Sequence, residues 1–134
     1  MAATLSAFYP ETIFHFDLQQ EIDDASSRRP WAAGIFSKTL LKQDDMRVLL
    51  TLMDQGATMN EHHADGSVSI QVLLGLLRVK TQEGVHSIPA RHLLVLEPSA
   101  GHDVRAVEPS AFLLTISWPD SEKLRAMPHR GYGS

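Results

Sequence analysis

The stretch "MRVLLTLMDQGATMNEHHADGSVSIQVLLGLLRVKT", residues 46–81, alternates short apolar runs with clusters of turn formers. Four runs stand out: MRVLLTLM (46–53), TMNEH (58–62), VSIQVLL (68–74) and LRVKT (77–81), with DQG and ADG among the breaks. Each has the length of a strand, and none carries a sustained 3.6-residue period, so each reads as β. The same rhythm continues on both sides. GIFSKTLL (34–41) precedes it, and VHSI (85–88), HLLVLE (92–97), HDVRAV (102–107) and AFLLTISW (111–118) follow. KQDD, QEG, PSAG and EPS supply the intervening turns. Short strands at such regular spacing predict an all-β sandwich or barrel over residues 34–118.

The two ends differ from this middle. FDLQQEIDDASS (16–27) suits one short helix with Asp17 as its cap, closed by Pro30, so residues 1–33 are expected to form an N-terminal helical extension. Residues 119–134 are polar and end Gly-rich, as expected of a surface tail. Within the barrel, VLLTLM and AFLLTI are apolar at successive positions rather than alternating. Such strands bury both faces, the second against another subunit or the N-terminal segment. A homodimer is therefore expected.

At 134 residues, 43% hydrophobic and 21% charged, the chain has the make-up of one globular domain. Its formal charge of −4 and lack of a basic run argue against nucleic acid as a partner. There is no cysteine, hence no disulfide, thiolate nucleophile or Cys-rich zinc site. No apolar run reaches the roughly 20 residues of a transmembrane helix, and the N-terminus is a poor signal peptide. A soluble, cytoplasmic protein is the expectation.

Gly56, His62 and Gly75 are spaced like the first motif of the cupin superfamily, and PARHLLVLEPSAGHDVRA (89–106) resembles the second. The resemblance spans about residues 34–118 and implies a double-stranded β-helix, the jelly-roll barrel of small cupins. It also implies where a metal would sit. His62 takes the first histidine position of the first motif, and His102 the histidine of the second. Ala64 stands at the second histidine position and Val68 at the glutamate position, so two of the four ligand positions lack a ligand.

Adjacent strand residues point to opposite faces, so His62 and His63 do not both face a barrel interior unless the chain bulges or turns. Gln71 is the other residue to weigh. Alternation puts it on the face opposite Val68, Ile70 and Val72, and a one-residue slip would reverse that. His86 and His92 read as structural or surface residues, Asp103 as facing away from His102, and Trp31 and Trp118 as covers for the barrel ends. Met59, Ile70 and Val72, with His62 and His102, form the expected ligand-binding set. Three functions remain open: a cavity that binds a small molecule; a metal-dependent enzyme of dioxygenase or isomerase type; and a structural or interaction module. In the second, His62 and His102 would hold a divalent transition metal such as Zn, Ni, Fe or Mn.

Overall fold

The computed structural model describes residues 12–62, 65–98 and 100–118. It opens with helix α1 (Leu18–Ser26) and a 3-10 turn (Ala32–Gly34). Nine strands follow: β1 (Ile35–Lys42), β2 (Met46–Met53), β3 (Thr58–His62), β4 (Ser67–Leu74), β5 (Leu76–Thr81), β6 (Gly84–Pro89), β7 (Leu93–Leu96), β8 (His102–Ala106) and β9 (Ser110–Ser117). Each falls on one of the nine runs read from the sequence. The expected helix is present too, and the Asp17 carboxylate accepts the Gln20 N–H at 3.0 Å, an N-cap for α1.

The strands form two antiparallel sheets, one ordered β1-β2-β9-β4-β7 and the other β3-β8-β5-β6. Two facing sheets with this interleaved order make a jelly roll. Register in the five-stranded sheet sets rows of side chains across its inner face. Arg47, Ile116, Val68 and Leu96 form the first row; Leu49, Leu114, Ile70 and Leu94 the second; Thr51, Phe112 and Val72 the third. The facing sheet contributes the row Met59, Val104, Val79 and His86, then Ala106, Leu77 and Ile88. These residues make up most of the main core.

The outer face of the five-stranded sheet explains the doubly apolar strands. Leu50, Leu52 and Ala111 point outward from β2 and β9, yet they are buried under Ile22 and Ala25 of α1 and under Trp31. The Trp31 indole donates to the Ala25 carbonyl at 3.0 Å, and Lys38 on β1 pairs with Glu21 at 2.8 Å. Helix α1 and Trp31 are thus the cover for that half of the sheet. Trp31 belongs to this outer layer and caps neither end of the barrel, correcting the sequence expectation. The indole is large and apolar, and the outer surface of β2 gives it more to bury against than a barrel mouth would. Further along the same face, on edge strand β7, Leu93 and Val95 remain 61% and 63% exposed.

Candidate functional site

Antiparallel strand order brings the turns β1–β2, β3–β4, β5–β6 and β7–β8 to one end of the barrel. Two buried polar residues, Arg47 and His102, lie there. His102 opens β8 and is only 2% exposed, on the same buried face as Val104 and Ala106. Its Nδ1 lies 3.4 Å from the Ala100 carbonyl oxygen, a contact that ties the ring to the preceding turn. Asp103, next along the strand, has the opposite parity, as expected.

The register of β3 on β8 answers the question raised by the paired histidines. Thr58 pairs with Arg105 and Met59 with Val104, but the next pair is His62 with His102. Two residues of β3, Asn60 and Glu61, therefore stand against one residue of β8, which is a β-bulge. An unbroken ladder from Met59 would have set Glu61 opposite His102. The bulge shifts the phase by one residue and puts position 62 there instead. It also lets Met59 and His62, three apart in sequence, both occupy register positions opposite inward residues of β8. His63 and Ala64 lie outside the described residues.

The other expected residues are placed by the register of β4. Val68, Ile70 and Val72 are fully buried and inward, while Gln71 is exposed on the outer face between Leu113 and Leu93. Gln71 is therefore removed from any barrel site. The apolar set is spread along the barrel. Ile70 lies in the second row and Val72 in the third, against Phe112. The first row, at the histidine end, holds Val68, Leu96 and Arg47.

Arg47 was not among the residues singled out from the sequence. It is buried on the inner face of β2, with its guanidinium carbon 5.2 Å from the centroid of the Trp118 ring. Trp118 itself belongs to the main core at that end. A signal was available: in MRVLLTLM, Arg47 has the same parity as Met53, which an inward reading of that strand would have carried inside. His86 also needs revision. It lies on edge strand β6, as expected, but in the inward row with Val79, half-buried, with Nε2 3.3 Å from the Thr81 hydroxyl. His92 precedes β7 and is exposed, off the alternation face it was expected to share with Leu94 and Leu96.

A cleft of about 380 Å³ opens at this same end, between the β5–β6 and β7–β8 turns. Thr81, His86, Leu94, Leu96 and Ala100 line it, with Glu83 and Glu97 also on its walls. Its volume is that of a small-molecule site.

The donor set can be tested against a metal. Register brings two imidazole-bearing positions, 62 and 102, opposite each other. The described residues contain no group of three or more His, Asp or Glu able to hold an ion. Val68, at the position where the cupin resemblance implies a glutamate, is a buried apolar residue of the wall. Three protein ligands are the usual minimum for a catalytic transition-metal site, and the described residues do not supply them. Two imidazoles suit at most a loosely held ion.

No family model matches the sequence, and no curated protein matches it. Solved structures do match. A conserved protein of unknown function from Streptococcus pyogenes superposes with a TM-score of 0.66 at 21% identity, over 83% of this chain and 92% of that one. A cupin superfamily protein from Desulfitobacterium hafniense gives 0.64 at 15% identity, over 71% and 87% of the two chains. An RmlC-like cupin from Shewanella frigidimarina gives 0.61 at 16% identity, over 69% and 83%. At these identities the likeness is one of fold. Strand order, sheet pairing and these superpositions agree: the fold is the jelly-roll barrel of small cupins.

Proposed function

We propose that this protein binds a small organic molecule at the histidine end of its barrel, without a catalytic metal. The observation that carries this reading is His102. It is a polar ring held inside the barrel, opposite His62 in register and beside a cleft of ligand size. The contact of Nδ1 with the Ala100 carbonyl fixes the ring's orientation, and an imidazole so placed is a polar group able to orient a ligand among apolar walls. Val68, Ile70 and Leu96 supply the apolar surface that excludes water from such a contact.

Methyl-labelled protein tests the reading. Fragments that bind in the barrel shift the methyl signals of Val68 and Ile70 and leave exposed Val85 unmoved. A diverse fragment library that never perturbs the inner methyls would overturn it.

The register opposition of His62 and His102 favours a second reading, a divalent metal held by these two imidazoles with water or substrate completing the shell. The two readings part on whether stoichiometric metal depends on both histidines. The homodimer belongs to the same proposal. Leu93 and Val95 form an exposed apolar patch on an edge strand, a surface that a second copy would cover.

A further inference from the structure

The cleft has a chemistry of its own. Its two flanking turns each carry a carboxylate, Glu83 on β5–β6 and Glu97 on β7–β8, and no Lys or Arg is among the described residues lining it. Neither carboxylate forms an ion pair or hydrogen bond among the described residues, so both are available to a ligand. The floor is apolar, made by Leu94, Leu96 and Ala100. The β5–β6 turn is held in shape by Thr81, whose hydroxyl accepts the Glu83 N–H at 3.2 Å and sits 3.3 Å from His86 Nε2. The cleft also lies between β6 and β7, the edge strands of the two sheets. Edge strands present backbone carbonyls outside their own ladder, and these accept hydrogen bonds.

We infer that this cleft takes a small organic cation: an amine whose ammonium lies between Glu83 and Glu97 and whose apolar body rests on Leu94 and Leu96. The inference rests on the proposal that the histidine end of the barrel is a small-molecule site, and it names the charge of the ligand and its point of entry. Two carboxylates with no cation of the protein's own between them repel anions and attract cations over the distance of a Debye length. The apolar floor selects against a bare metal ion, which keeps its water, and favours a cation carrying hydrocarbon.

Titration calorimetry with four probes tests the inference: benzylamine, 1,5-diaminopentane, benzyl alcohol and benzoate. Benzylamine is expected to bind at least several-fold more tightly than benzyl alcohol, and benzoate most weakly. Glu83→Gln and Glu97→Gln should each weaken amine binding by about threefold, the size typical of an exposed charge pair. The double variant should bring benzylamine close to benzyl alcohol, and raised salt should do the same. Both glutamates are exposed, so neither substitution threatens the fold. Equal affinity for amine and alcohol, or amine binding unchanged in the double variant, overturns the cation assignment and leaves the small-molecule reading standing. Binding of none of the four, with the inner methyls silent to the fragment library, overturns both.

Discussion

Two glycines share a backbone conformation but not a neighbourhood, and replacing each by alanine separates the two costs. Gly56 has φ +85° and Gly75 has φ +84°, both in the left-handed region. A Cβ added at Gly56 meets nothing within 4 Å. A Cβ added at Gly75 would fall inside contact distance of the Pro109 carbonyl oxygen and the Ser110 hydroxyl, and 2.8 Å from Ser110 Cα. Gly56→Ala should therefore cost only the left-handed conformation, about 1–2 kcal/mol. Gly75→Ala adds the displacement of β9 from the β4–β5 corner. The Ser110 hydroxyl accepts from Leu76 N at 3.1 Å and donates to the Glu108 carbonyl at 2.8 Å, and both bonds would be disturbed. Losing bonds of this partly buried kind costs about 1–3 kcal/mol. The expected total for Gly75→Ala is thus about 2–5 kcal/mol, about 1–3 kcal/mol more than Gly56→Ala. Urea unfolding followed by the fluorescence of buried Trp31 and Trp118 reads this directly. With a slope of about 2 kcal/mol/M, the two midpoints should lie about 1 M apart. Coincident midpoints would refute the close approach of the β4–β5 corner to β9, and with it the packing derived for that end of the barrel.

The remaining predictions probe register, the helical cover and the open sheet face. Ile70→Ala should cost about 2–4 kcal/mol and Gln71→Ala less than about 0.5 kcal/mol, as chemical denaturation of the two variants would show. Reversed costs would mean that β4 is out of register by one residue. Asp17→Ala should lower stability by about 1 kcal/mol through loss of the α1 cap, and restoration by Asn but not by Leu would assign the loss to capping. The paired change Leu93→Glu and Val95→Glu should abolish the proposed dimer, read as the mass of a monomer in light scattering at unchanged circular dichroism. An unaltered oligomer would place its interface elsewhere.

The strands were readable because their lengths and turn chemistry are local properties: Asp, Gly and Pro end runs of β-branched and apolar residues wherever they fall. The inward face of β4 was readable for a related reason, since alternation holds along an unbroken strand and Val68, Ile70 and Val72 obey it. Alternation fails at β3, where the bulge at Asn60 and Glu61 resets the phase. A bulge depends on how two strands fit together, and nothing in TMNEH announces it. Trp31 was misplaced for a different reason. Its burial depends on α1 folding back over β2, a tertiary event that no local pattern encodes. Arg47 was passed over because a charged residue at the start of a strand reads as solvent-facing by default. The Glu83 and Glu97 cleft joins two turns that are distant in sequence, so it has no sequence signature at all.

The proposed function treats the end of the barrel where positions 62 and 102 meet in register as a small-molecule pocket rather than a catalytic metal centre. Elemental analysis of the wild-type protein and of the His62→Ala and His102→Ala variants, each exposed to Zn, Ni, Fe or Mn and then desalted, tests it most directly. Well under one metal per chain is expected in all three proteins, with no difference among them. One equivalent of a single metal in the wild type, lost in both variants, would contradict it.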